Sequence, residues 1–267
     1  METQTYKPQS RSKLFFAISD TGVLIKRSLM HISKNLDQLL SIIISPVMFM
    51  LLFRYVFGGA IETGGVTYVN YLVAGILVQT AAFGATTTSL SVATDLKKGI
   101  VERLKTLPIV SSGVLMGHVV ADLVRNVLSA IVMIGIAYLV GFKPNASVLE
   151  WFQIAGILLI FTFAFSWLSA IMGLVAKSVE ATQWIGFVIV FPLTFASSAF
   201  VPTSGMPSGL RFFAENQPVT HVIEAIRALM IGTPIGNHGI LAVVWCAGFT
   251  LIAIPLVAYL FRRIHSK

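Results

Sequence analysis

The chain has 267 residues, 56% of them hydrophobic and only 11% charged, with a formal net charge of +8. Its one cysteine, Cys246, sits in an apolar run, so it forms no intramolecular disulfide and has no neighbours at metal-ligand spacing. There is no room for a separate soluble domain, and the positive balance calls for no nucleic acid, because a basic face beside anionic lipid accounts for it.

The segment 12–36 predicts an interfacial helix. Leu14, Ile18, Ile25, Leu29, Ile32 and Leu36 share one helical face, while Lys13, Asp20, Lys26, Arg27 and Lys34 fall largely elsewhere. A basic amphipathic helix of this kind lies in the headgroup plane, with docking on a cytoplasmic partner as its secondary reading. No cleavable signal peptide is expected, because polar residues fill the segment before the first apolar run.

Six apolar runs follow: 38–57, 69–93, 116–141, 151–176, 181–201 and 238–261. Each has roughly the 20 residues that a hydrocarbon core of about 30 Å requires. The expected fold is an all-α polytopic membrane protein of six transmembrane helices, one domain over 1–267. By these spans the Lys and Arg of the connections divide about fourteen to three between the two sides, which places both termini in the cytoplasm.

The first run contains Pro46 and ends near Arg54, Tyr55 and Phe57, an anchor at the outer edge. In the second, Ala81, Ala85, Ser89 and Ala93 recur every four residues and make a smooth ridge for close helix approach. Gln79, Thr86, Thr87 and Thr88 add polar groups at membrane depth, read as packing and local hydrogen bonding before a weakly polar wall. The connection Thr94–Pro108 places Ile100, Leu104 and Leu107 on one face, pairs Glu102 with Lys98 and Lys105, and stops at Pro108. It reads as a rigid amphipathic peg able to pass force from a cytoplasmic partner to the spans.

The third run carries Asp122, Arg125 and Asn126. Ionisable residues inside a span are candidates for function; in the cytoplasmic third, where snorkelling lowers the cost, a structural ion pair and an inner gate stay equally open. His118 reads as an interfacial residue. Between the fourth and fifth runs, Ser178 can cap the next helix and Glu180 suits its dipole. Trp151 and Phe152 suggest an outer aromatic anchor and Trp184 an inner one, while Phe161, Phe163, Phe165 and Trp167 are expected to face lipid.

Residues 202–237, punctuated by Pro202, Pro207 and Pro218, are too short to span twice. Val219, Val222, Ile223, Ile226 and Met230 make an apolar face, and Glu224 can pair with Arg227. Two short helices dipping into the outer leaflet fit, and irregular backbone there must be buried in protein or line water. The region is a candidate exit gate with Pro202, Pro218, Glu224 and Arg227, and His221 reads as a structural hydrogen-bonding residue.

The stretch Asp95-Leu-Lys-Lys-Gly-Ile-Val-Glu-Arg-Leu-Lys-Thr-Leu-Pro108 resembles the cytoplasmic signature of ABC-2 type permeases, the membrane subunits of ATP-binding cassette exporters. Tyr71-Leu-Val-Ala-Gly-Ile-Leu-Val78, Phe200-Val-Pro-Thr-Ser-Gly-Met-Pro207 and Asn216-Gln-Pro-Val-Thr-His-Val-Ile-Glu-Ala-Ile-Arg227 resemble the daunorubicin-resistance branch. The resemblance covers essentially the whole chain. It implies a coupling helix at 95–108 seated in an ATPase cleft, with Asp95, Gly99, Glu102, Arg103 and Pro108 as its residues and Glu102 and Arg103 as the ATPase contacts. It also implies re-entrant helices after the fifth span.

The chain has no GxxxxGK[ST], so it lacks the usual phosphate-binding loop. ATP and Mg²⁺ are expected on a separate ATPase subunit in two copies, with a second permease subunit, identical or different, completing the pathway. No cofactor is expected in this chain. The expected function is export of a hydrophobic or amphipathic drug, antibiotic, peptide or lipid across a bacterial plasma membrane, with a glycan or lipid-linked glycan as the alternative. A drug/proton antiporter needs midplane carboxylates, whereas Asp122 is off centre and Glu62, Glu150, Glu215 and Glu224 are external. An intramembrane enzyme is disfavoured: neither HExxH nor GxSxG occurs, and His31, His118, His221, His238 and His265 do not cluster with acids.

Overall fold

The computed structural model describes residues 36–99 and 112–264, and all regular structure among them is helical. We label the helices α1 (Leu36–Leu52), α2 (Tyr68–Lys97), α3 (Ser112–Leu139), α4 (Val148–Val175), α5 (Val179–Phe195), α6 (Ser208–Asn216), α7 (Pro218–Ile231) and α8 (His238–Ile264). A π-helical turn, Phe53–Phe57, continues α1. The expected interfacial helix lies outside the described residues, as do Glu102, Arg103 and Pro108 of the coupling segment.

Among the described residues, four helices (α2, α3, α4 and α8) are long and apolar enough to cross a membrane. The other two expected spans fall on shorter apolar helices, Ile44–Phe57 and Val179–Phe195. The run 181–201 is the clearer departure. Its helix of 17 residues is about 26 Å long, and Ala196 onward leaves helical geometry. Thr194 and Ser197 explain the stop. The Ser197 hydroxyl donates to the Thr194 carbonyl and accepts from the Ala199 N–H at 3.1 Å, replacing helical bonds with side-chain ones.

The helix ends follow from local chemistry. Ser147 and Glu150 form a reciprocal capping box at the start of α4. Ser178 accepts from the Ala181 N–H at 3.1 Å and caps α5 as expected. Pro218 opens α7 where no N–H is needed. Gly232, at φ +83, closes α7 in the left-handed conformation. Its exposed carbonyls are met by Asn145, whose backbone N–H reaches Met230 O at 2.9 Å and whose side chain reaches Ile231 O at 3.1 Å.

Helix α2 is the centre of the fold. In its apolar stretch 72% of residues are buried, against 22% for α8, most of whose surface is exposed. The small-residue ridge does the expected work: Ala81, Ala85, Ser89 and Ala93 are all buried. At two points backbones nearly touch. A Cβ on Gly75 would lie 2.1 Å from Ala199 O, and one on Gly173 would lie 2.4 Å from Ser89 O. The expectation for α4 is corrected: Phe161, Phe165 and Trp167 are buried rather than lipid-facing, because α4 is packed between α2 and α8. Phe161 and Phe165 lie with ring centroids 4.4 Å apart, tilted by 38°, in the larger core, and Trp167 belongs to a smaller one with Val92, Leu115, Val119 and Phe261.

Candidate functional site

A cavity of about 380 Å³ opens between α1, α2, α3 and α5. Phe49, Phe83, Phe187, Phe191 and Phe195 line it, with Pro46 at the side of α1. Phe187, Phe191 and Phe195 follow one another up α5 with ring centroids 5.0 and 4.1 Å apart. Their i,i+4 spacing puts them on one helical face. Gly84 lets α3 approach here, since a Cβ at that position would lie 2.3 Å from Asn126 Oδ1.

Of the pair singled out as an inner gate, Arg125 lines the cavity, beside Gln79, Thr87 and Asn126. Asp122 is fully buried and Arg125 is 7% exposed, and their charged atoms lie 3.2 Å apart. The expectation of a snorkelling pair is therefore corrected. Both groups are enclosed, and α2 and α4 supply the partners that water would otherwise provide. Thr87 Oγ1 lies 3.2 Å from Asp122 Oδ1, Ser166 Oγ donates to Asp122 Oδ2, and Arg125 Nη1 donates to Thr87 Oγ1. A buried ion pair survives in a low dielectric only when hydrogen-bonded in this way.

Among the outer candidates, Glu224 and Arg227 form the expected i,i+3 pair, but in a buried setting. Arg227, placed on the exterior by sequence, is only 5% exposed. Its Nε donates to Tyr71 O at 3.1 Å and its Nη2 to Ser198 O at 2.6 Å. Its guanidinium lies 3.6 Å from the Tyr71 ring centroid, and Glu224 accepts from it at 2.5 Å. Tyr71 Oη also donates to Ser198 O at 2.9 Å, and Tyr68 Oη to Phe200 O at 3.0 Å. Arg227 thus pins α7 to α2 and to the chain after α5. Pro202 precedes a 3₁₀ turn, Thr203–Gly205, and contacts neither Arg227 nor Glu224 through any of these bonds. On α6, Arg211 donates to Glu215 at 2.7 Å and Thr203 donates at 3.1 Å, which holds the Glu215 carboxyl below its ordinary range.

At the other end of α2, Asp95 and Gly99 are the two of the five expected coupling residues that fall among the described residues. Asp95 belongs to the last turn of α2 rather than to a separate helix, and its Oδ2 lies 3.0 Å from His118 Nε2. Gly99, at φ +62, ends the helix. Sequence reasoning missed the Asp95–His118 contact and the pairing of His221 with His238, whose Nδ1 atoms are 3.1 Å apart. Their separations of 23 and 17 residues carry no helical periodicity. Among the described residues, no group of three or more His, Cys, Asp or Glu side chains could hold a metal ion.

These features define an apolar helical membrane protein with an aromatic cavity and with α7 tied to α2 by a buried arginine. Residues 19–231 match the ABC-2 type transporter family, and the chain belongs to it. It is 30% identical over 249 residues to the daunorubicin resistance ABC transporter permease protein DrrB1 of Streptomyces coeruleorubidus, covering 92% of this chain and 87% of that one. It is 26% identical over 263 residues to a protein of Mycobacterium tuberculosis described as a "probable doxorubicin resistance ABC transporter permease protein DrrC", covering 96% and 92%. Nodulation protein J of Rhizobium meliloti is 23% identical over 202 residues, covering 74% and 75%. The chain is the membrane subunit of an ABC exporter.

Proposed function

We propose that this permease moves a hydrophobic or amphipathic small molecule outward through the cavity between α1, α2, α3 and α5. The observation that carries this reading is the cavity itself: five phenylalanines beside the polar side chains of Gln79, Thr87, Arg125 and Asn126, with the Arg125 charge balanced from behind by Asp122. Such a lining desolvates an apolar body and still offers hydrogen bonds to a polar group. The drug-resistance names of two relatives favour a drug-like substrate over a glycan. We place α1 and α5 across the bilayer as well, giving six spans with both termini cytoplasmic, and α6 and α7 as helices re-entering the outer leaflet. Two permease subunits and two copies of an ATPase complete the exporter. ATP and Mg²⁺ sit on the ATPase, and the 95–108 segment, through Glu102 and Arg103, receives its closure. Pro202, Pro218, Glu224 and Arg227 belong to the outer gate and Asp122 and Arg125 to the inner end.

The test is co-purification with an ATPase subunit and ATP-driven transport in vesicles, comparing the unaltered chain with Glu102→Ala plus Arg103→Ala. A stoichiometric ATPase lost or uncoupled in the variant is the expected result. Transport by the permease alone, with no ATPase bound, would overturn the reading.

A further inference from the structure

We propose that His221 and His238 form a binding site for a divalent transition-metal ion, Zn²⁺ or Cu²⁺, that clips α7 to α8. The inference goes beyond the export reading and does not depend on it. The two Nδ1 atoms lie 3.1 Å apart and the ring centroids 5.3 Å apart. His221 stands in the first turn of α7, and His238 opens α8. From His221 to Ile231 the helix runs about 15 Å. The connection 232–237 reaches about 20 Å when extended, enough to return the chain beside the start of α7. Gly232 and Gly236, both at positive φ, make its turns. Val219, Val222 and Ile223 around His221 are fully buried, and His221 is 7% exposed, so packing fixes that ring in place. His238 is part-exposed and leaves an approach for an ion.

The spacing is that of two ligands on one ion. An imidazole nitrogen sits about 2.0–2.1 Å from Zn²⁺. Two of them span about 3.3 Å on a tetrahedral ion, and about 2.9 Å at adjacent corners of a square-planar one. The observed 3.1 Å falls between these values. Two rings on one tetrahedral ion would have centroids about 5.2 Å apart, against 5.3 Å here. In the metal-free chain one Nδ1–H···Nδ1 hydrogen bond fills the same gap, so the ion takes the place of one proton and the rings need only turn slightly. No third His, Cys, Asp or Glu joins the pair among the described residues, which leaves the remaining positions to water. Hard ions such as Ca²⁺ want oxygen ligands and gain little here. The first turns of α7 and α8 present the positive ends of their dipoles, which disfavours any cation that imidazole holds weakly. Zn²⁺ and Cu²⁺, the ions imidazole suits, remain.

The experiment uses the full-length protein in nanodiscs, without a histidine tag, and the metal ions alone as probes. Zn²⁺ is titrated in competition with a fluorescent chelator. The unaltered chain should take up one Zn²⁺, and His221→Ala or His238→Ala should bind it at least about tenfold more weakly. His118→Ala, on α3 beside Asp95, should leave the affinity unchanged. Electron paramagnetic resonance of the unaltered chain with Cu²⁺ should show coupling to two imidazole nitrogens, a readout that needs no variant. Saturating Zn²⁺ should also raise the unfolding midpoint in SDS for the unaltered chain and for neither His221→Ala nor His238→Ala, because the ion ties two helices of the folded state. No bound Zn²⁺, equal affinity in the two variants, a Cu²⁺ spectrum without imidazole coupling, or a midpoint that Zn²⁺ leaves unmoved overturns the inference.

Discussion

Replacing Arg227 with alanine should destabilise the outer cap more than any exposed arginine could. The side chain is 5% exposed and spends its donors on two backbone carbonyls, Tyr71 O and Ser198 O, at 3.1 and 2.6 Å, while its plane covers the Tyr71 ring at 3.6 Å. Hydrogen bonds from a charged donor contribute about 1.5–3 kcal/mol each, and a desolvated cation–ring contact up to about 2 kcal/mol. The terms do not add fully. Ser198 O keeps the Tyr71 hydroxyl at 2.9 Å, and Glu224, with 30% of its side chain exposed, can rehydrate when its partner goes. The expected loss is therefore about 3–5 kcal/mol, the usual cost of removing one partner of a buried ionic group. Arg227→Lys keeps the charge but not the planar fork, and should lose about half of that. Equilibrium unfolding by SDS in mixed micelles, followed by tryptophan fluorescence, measures both. A loss below about 1 kcal/mol for Arg227→Ala would refute the reasoning, since that is the range of ordinary surface changes.

Gly75→Ala should destabilise the chain by about 1–3 kcal/mol, because its Cβ would meet Ala199 O at 2.1 Å and backbone cannot swing aside. Gly135→Ala, in α3 with nothing within 4 Å of the added Cβ, should stabilise by about 0.5–1 kcal/mol, and the two form a matched pair in the same unfolding assay. Asp122→Asn leaves the buried Arg125 charge uncompensated and should cost about 3–5 kcal/mol, whereas Asp122→Asn with Arg125→Met should recover much of it. His221 titrates below its ordinary value of 6.5, first because burial disfavours its charge and then because His238 faces it. Its neutral form is thus the one the fold prefers. The contribution is complete above pH 6.5 and is lost as the pH falls towards the lowered folded value. Unfolding between pH 7.5 and 5 should show this loss, and His221→Gln should flatten the profile.

Much of the fold was legible because membrane helices announce themselves by length and apolarity. The ridge Ala81, Ala85, Ser89 and Ala93 predicted close packing, and those residues are buried. The local pairs Asp122–Arg125 and Glu224–Arg227 are both formed, at 3.2 and 2.5 Å, since i,i+3 neighbours meet on any helix. Burial was the part that sequence misread. In a lipid-soluble chain, apolar residues face both the core and the bilayer, so composition alone does not tell which face Phe161 or Trp167 takes. Arg227 looked external because it follows an outer loop, yet its partners come from residues 71 and 198. Contacts of that sequence separation leave no periodic trace, and the same is true of Asp95 with His118.

The distribution of contacts along α2 makes it the element through which motion would pass. Its 30 residues span about 45 Å. The first turn is tied to the outer chain by Tyr68 and Tyr71, the middle lines the cavity with Gln79, Phe83 and Thr87, and the last turn meets α3 through Asp95 and His118. No proline interrupts it, so a displacement at its inner end is carried along the axis rather than absorbed in a kink. The proposed coupling segment begins in that same last turn. Asp95→Asn weakens its hold on His118 and should therefore separate two activities that the intact exporter links. The ATPase should still co-purify and hydrolyse ATP, because Glu102 and Arg103 are untouched, while transport per ATP should fall several-fold. Equal transport per ATP in the variant and the unaltered chain would show that α2 is not the path, and would move the search to α3.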